Sequence, residues 1–194
     1  MKVPSLLFPE IRINEQHNHV FMGEGYIWPH LTLHINYTTY DLRRCQDMMS
    51  IKHRPCNIMV HAGDEKSIPG FHLYWYARII GIYDMDVSLL RDDGVLQQHS
   101  KMYFLWVRWF GKDSTYRAGP QAWHLDRIGF IHDEDDTEPF GFIDPACVIR
   151  AVHLIPAFEH GRTTELLGPS IARGDNQALT EDWRYYYVNR WVHS

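Results

Sequence analysis

Met102-Tyr103-Phe104-Leu105-Trp106-Val107-Arg108-Trp109-Phe110 decides the fold: it carries one charge and large apolar groups at both odd and even positions. In an extended chain successive side chains point to opposite faces. Tyr103, Leu105, Val107 and Trp109 therefore share one face, and Phe104, Trp106, Arg108 and Phe110 the other. Aromatic and β-branched residues favour a pleated backbone, so the stretch reads as a strand. A strand apolar on both sides has to be sheathed on both sides, and the N-terminal segment and the C-terminal extension are the expected covers.

Working outward, strands are expected at residues 17–22, 30–38, 57–62, 72–83 and 148–155, the last stopped by Pro156. Gly63-Asp64, Pro69-Gly70, Asp92-Asp93-Gly94, Gly111-Lys112-Asp113 and Gly119-Pro120 supply the turn chemistry between them. Two helices are expected. One follows Thr38, where Asp41 completes a weak capping box and Leu42, Cys45 and Met48 or Met49 share a face. The other starts at Thr180-Glu181-Asp182 and carries Trp183, Tyr187 and Trp191 at helical spacing, although Trp183, Tyr185 and Tyr187 also alternate as in a strand. The expected fold class is mainly β: an antiparallel barrel or strongly curled sheet with a short N-terminal helix and a C-terminal helical extension.

The chain has 194 residues, the size of one domain, and 1–194 divides into an N-terminal covering segment (1–55), a β-barrel core (56–158) and a C-terminal extension (159–194). Apolar residues make up 45% and charged residues 22%, enough for a sizeable core and too apolar for disorder. The net charge of −5 excludes a phosphate-hugging protein as a whole-chain reading. Cys45, Cys56 and Cys147 form neither a C-x-x-C pair nor an even set, which fits free thiols in a reducing compartment. Prolines interrupt the N-terminus before a secretory apolar core could form, and no run approaches a membrane span. The expectation is an intracellular chain, nuclear or cytoplasmic, with no membrane partner.

Four patterns bear on chemistry. His17 and His19 project alike from a strand, and Glu24 after a turn closes an H-x-H-x4-E spacing, the cupin-type arrangement for a metal. Ile11 and Leu31 stand where the framing glycines of that motif belong, so surface histidines are the preferred reading and no metal or other cofactor is expected. His30 and His34 lie four residues apart, about 13 Å along a strand, and are read as polar-face residues and not a site. The cluster Arg43, Arg44, Lys52 and Arg54 is a nucleic-acid candidate that would give only weak, salt-sensitive DNA binding. The acid run holding Asp133, Asp135 and Asp136 contains no base; beside the rings of Tyr74, Tyr76 and Trp106 it would suit a lysine or methyl-lysine ammonium, each contact contributing about 0.5–2 kcal/mol. No nucleophile elbow, phosphate loop or dinucleotide fingerprint occurs.

Longer motifs carry a resemblance. Ile35-Asn36-Tyr37-Thr38-Thr39-Tyr40-Asp41-Leu42-Arg43-Arg44, Tyr76-Ala77-Arg78-Ile79-Ile80-Gly81-Ile82, Phe104-Leu105-Trp106-Val107-Arg108-Trp109-Phe110 and His153-Leu154-Ile155-Pro156-Ala157-Phe158 are four of them. His160-Gly161-Arg162-Thr163-Thr164-Glu165-Leu166-Leu167-Gly168-Pro169-Ser170 and Asp182-Trp183-Arg184-Tyr185-Tyr186-Tyr187-Val188-Asn189 extend the set. Over residues 11–192 the chain resembles the C-terminal region of Plavaka-type (CACTA-like) transposon proteins of mushroom-forming fungi. It departs from them at Ser50-Ile51-Lys52-His53-Arg54, where such sequences often read Asn-Pro-Arg-Thr-His, and the likeness does not extend to their large upstream transposase region. The resemblance thus implies an accessory module and not a nuclease. The strand order over residues 56–158 is also similar to bromo-adjacent-homology (BAH) domains, β-barrel chromatin readers.

Together these readings lead to a non-enzymatic β-barrel interaction module for chromatin, nucleoprotein or a basic peptide. The alternatives are a metal-dependent enzyme using His17, His19 and Glu24, and a weak DNA-binding accessory domain.

Overall fold

The computed structural model describes residues 18–39, 41–52, 55–61, 74–91, 96–118, 124–132, 138–168, 170–176 and 181–189. The strands are β1 (Asn18–His30), β2 (Thr32–Thr38), β3 (Arg44–Ser50), β4 (Cys56–His61), β5 (Tyr74–Arg91), β6 (Leu96–Lys112) and β7 (Arg127–Phe130). After them come β8 (Phe140–Ile143), β9 (Val148–Ala151), β10 (His153–Pro156), β11 (Arg162–Thr163), β12 (Asp182–Trp183) and β13 (Tyr186–Asn189). The expected mainly β, antiparallel class holds.

The long hairpin β5–β6 is the spine. The main sheet runs β10-β13-β7-β6-β5-β4-β9, with β1 added to the distal half of β5 and β8 to β6. Its two terminal strands, β9 and β10, are consecutive in the chain and separated only by Val152, whose N–H donates to the Asn57 carbonyl at 2.9 Å. One segment therefore pairs with β4 by its first half and with β13 by its second. No ladder joins β9 to β10, so the sheet folds back on itself without becoming the closed barrel that was one expected form.

Strand β6 is sheathed on both sides, as its composition requires. On one face Leu105, Val107 and Trp109 pack with Ile58, Ala77, Ile79 and Ile143, and Ile35 and Met49 of the β2–β3 hairpin cover them. On the other, Phe110 joins Met59, Tyr76, Ile128, Phe130, Leu154, Tyr186 and Val188. Leu105 and Val107 are fully buried, a state that stabilises by about 1.5–3 kcal/mol for each such side chain. Between Ile79 and Gly81 the β5–β6 register shifts by a bulge. Tyr83 folds its ring back over Gly81, into the space a Cβ would need, so any larger residue there would have to displace that ring.

Neither expected helix exists; the helical turns among the described residues are short 3-10 segments. The N-terminal one is the turn and strand β3. Leu42 sits in the turn with a left-handed φ of 63°, which breaks any helix at that point. From Arg44 onward Cys45, Asp47 and Met49 turn inward while Arg44, Gln46 and Met48 face out. At the C-terminus β12 and β13 replace the second helix. Tyr186 and Val188 are the inward residues there, and Trp183 belongs to a different strand from Tyr187; Trp191 lies outside the described residues.

Candidate functional site

Past the bulge, β1, the distal half of β5 and the first half of β6 form a three-stranded arm. Register places Trp28, Asp84 and Tyr103 side by side across it. They share the face of Ile82 and Leu105, so the row continues that core outward, leaving its two flanking rings uncovered. Trp28 is 55% exposed and Tyr103 52%, whereas Asp84 between them is only 3% exposed. Tyr26, also exposed, tilts against Trp28 at 6.3 Å between ring centroids.

A carboxylate in that position needs partners, and they come along the diagonals. The Nε2–H of His30 donates to Asp84 Oδ2 at 2.6 Å. Lys101 Nζ stands 3.3 Å from Oδ1, an ion pair and not an aligned hydrogen bond. The His30 bond, opposed by burial and joined by Lys101, holds the Asp84 carboxyl below the usual carboxylate range; the same pair raises Lys101. Far from this arm, Asp113 is also held low: burial pushes it up, but bonds from Thr115 and Arg127 outweigh that.

A folded-state value below the unfolded one gives stability that is complete above about pH 4 and lost as pH falls through the folded value. The melting temperature is therefore expected to drop in acid. Asp84→Asn is expected to melt lower than wild type at pH 7 and to show a shallower acid decline. Parallel acid limbs for the two proteins, in thermal melts from pH 7 to pH 2.5, would exclude this role for Asp84.

The residues singled out in the sequence are dispersed. Tyr76 is buried in the cluster around Phe110 and Phe130, on the opposite face of the sheet, and Tyr74 packs half-buried against it. Trp106 is half-buried two rows farther along β6, tilted against Phe140 at 6.1 Å. Between Tyr76 and Trp106 lies the Arg78–Arg108 cross-strand pair, so the three rings do not form one wall. Asp133, Asp135 and Asp136 lie outside the described residues.

The basic cluster is divided because β3 is a strand: Arg43 and Arg44 sit at one end and Lys52 just past the other, roughly 20 Å away at strand rise. Arg43 is paired with Asp41 at 2.9 Å, and Arg54 lies outside the described residues. In β1, His19 stands opposite Leu90, and Glu24 falls where the register shifts. His17 and the side chains of His19 and Glu24 lie outside what is described, and among the described residues no three His, Cys, Asp or Glu side chains gather as a metal site.

His30, read from sequence as a bystander, is part of the arm site, and Trp28, Asp84, Lys101 and Tyr103 were not singled out at all. The available signal was Asp84 itself, an acid alternating with Tyr83, Met85 and Val87 in a strand that had no other reason to bury a charge.

A second polar cluster lies near the β7–β13 pairing. Arg127 binds Asp113 at 2.6 Å and donates to His160 Nε2 at 2.7 Å, with its guanidinium 4.1 Å from the Tyr116 ring centroid. Tyr187 donates to Glu159 at 2.6 Å. These groups satisfy one another. Among the described residues no helix is long and apolar enough to cross a membrane. Compared with known proteins, the chain matches no family model, no curated protein and no solved structure.

Proposed function

We propose that the protein is a non-enzymatic interaction module that docks a basic peptide segment on the Trp28–Asp84–Tyr103 row, in a chromatin or nucleoprotein setting. The observation that carries this reading is two exposed aromatic rings on either side of a buried carboxylate. Trp28 and Tyr103 stand two strand spacings apart, about 10 Å, with Asp84 and its Lys101 and His30 partners between them. Seven other rings already carry a cation. Arginines of the chain itself lie over Phe110, Phe130, Tyr186, Tyr116, Tyr185, Tyr37 and Trp183. Among the described residues no guanidinium of the chain lies over Tyr26, Trp28 or Tyr103, and all three are more than half exposed.

Lysine-rich and glutamate-rich peptides of equal length, titrated by calorimetry at two salt concentrations, test this. The lysine-rich peptide is expected to bind and to weaken with salt. Trp28→Ala and Tyr103→Ala are each expected to weaken it by about 2- to 30-fold. Equal binding of both peptides, or binding unchanged by both substitutions, would refute the proposal.

A further inference from the structure

We infer that Arg78 and Arg108, on the opposite face of the sheet from the arm site, form a binding site for a phosphate-class oxyanion. The two residues are direct cross-strand partners in β5 and β6, a placement that is unfavourable for like charges unless something of opposite sign joins them. Arg108 is 4% exposed. Its Nη1 donates to Asp182 Oδ2 at 3.0 Å and its Nη2 to the Leu166 carbonyl at 3.2 Å, while its buried Nε has no partner. Asp182 also accepts from Arg173 at 3.1 Å, so one carboxylate is divided between two guanidiniums.

Arg78 has no carboxylate within ion-pair distance among the described residues. Its Nε donates to Asn57 Oδ1 at 3.0 Å and its Nη2 to the Tyr186 hydroxyl at 3.4 Å, both neutral oxygens. Both guanidiniums stand against one ring, Phe130, at 4.8 Å for Arg78 and 3.7 Å for Arg108. A cationic pair with a bare donor and neutral acceptors is what an anion completes. A tetrahedral oxyanion suits it better than a single carboxylate because its several oxygens can bridge two guanidinium forks. The Tyr186 hydroxyl accepts from Arg78 and so keeps its own proton as a donor. Arg78 is only half-buried, so it is the end from which a ligand arrives.

The test uses the full chain, melted in inorganic phosphate and in chloride of matched ionic strength, with phenyl phosphate as a parallel arm. Inorganic phosphate at tenfold excess over its dissociation constant is expected to raise the melting temperature by about 3–6 °C. Arg78→Gln should abolish the rise and Arg78→Lys should keep part of it. A rise with inorganic phosphate alone identifies a site for the free ion; a rise with phenyl phosphate as well identifies the phosphoryl end of a larger ligand. The ³¹P resonance of inorganic phosphate, broadened by the wild-type chain, gives the answer without any variant. Coincident melts in phosphate and chloride with a sharp ³¹P line would overturn the proposal, as would an undiminished rise in Arg78→Gln. Peptide binding on the arm is expected to be unchanged in Arg78→Lys, which keeps the two sites separable.

Discussion

Asp182→Ala is expected to cost about 3–5 kcal/mol, because it leaves the buried Arg108 guanidinium without its carboxylate. The side chains of Arg108, Arg173 and Asp182 are each less than a tenth exposed. Burial lowers the pKa of Arg108, and Asp182 is what opposes that. The carboxylate also ties β12 to β6, two strands 74 residues apart in the pair that they form, and holds Arg173 of the 3-10 segment beside them. Asp182→Asn keeps the acceptor oxygen and loses the charge, so a smaller loss is expected. Urea unfolding reads both: the midpoint should fall with little change in slope, in the order wild type, Asn, Ala. An Asp182→Ala protein within about 1 kcal/mol of wild type would show that the carboxylate does not hold this cluster. Replacing Arg108 and Asp182 together by apolar residues of similar volume should recover much of the loss, since the damage comes from the stranded charge.

This pair also marks where sequence reasoning stops. The two-sided strand at Met102–Phe110 was legible because its composition leaves no polar face, and its strand character needs no knowledge of neighbours. Strand β3 was not. Its inward residues are Cys45, Asp47 and Met49, and an acid in the middle of the inward set hides the alternation. Asp47 turns inward because the Ala151 N–H donates to it at 3.0 Å and Arg150 stands 3.6 Å away, partners roughly a hundred residues distant. With Asp47 discounted, Leu42, Cys45 and Met49 mimic a helical face. The same holds at the C-terminus, where Trp183 and Tyr187 match a helical period although Trp183 pairs with Arg162 and Tyr187 with Arg127 and Ile155.

The arm site follows the same rule. Exposed aromatics in a chain so rich in rings cannot be told from core rings by type alone. What separates Trp28 and Tyr103 from Trp109 and Phe110 is the bulge at Ile79–Gly81 and the end of β8 pairing at Leu105, beyond which these two rings are left more than half exposed. Those are properties of pairing. Tyr76, given a cation-accepting role from the sequence, is buried at its own row: the ring packs into the Phe110–Phe130 cluster on the opposite face, and the chain's own arginine is two residues on.

Phe110→Ala is the second large effect, an expected loss of about 3–5 kcal/mol. Phe110 is 2% exposed at the row where β5, β6 and β7 meet, opposite Tyr76 on one side and Phe130 on the other. It stacks on Phe130 at 4.2 Å between centroids and meets the Tyr186 ring edge-on at 5.6 Å. Truncation removes the transfer energy of the ring, opens a cavity bounded by strands that cannot close independently, and deletes two ring contacts worth about 0.5–1.5 kcal/mol each. Phe110→Leu refills most of the volume and isolates the ring contacts, so its loss should be well under half that of Ala. Phe142 gives the comparison: it lies on β8, opposite Trp106 of β6, but is 57% exposed, and its truncation should fall near 0.5 kcal/mol or less. Chemical denaturation of the three variants against wild type measures the order. If Phe110→Ala and Phe142→Ala proved equally mild, the cluster around Phe110 could not be what the sheet folds around; Phe110→Ala far below Phe142→Ala places the stabilising centre where β13 closes over β7 and β6.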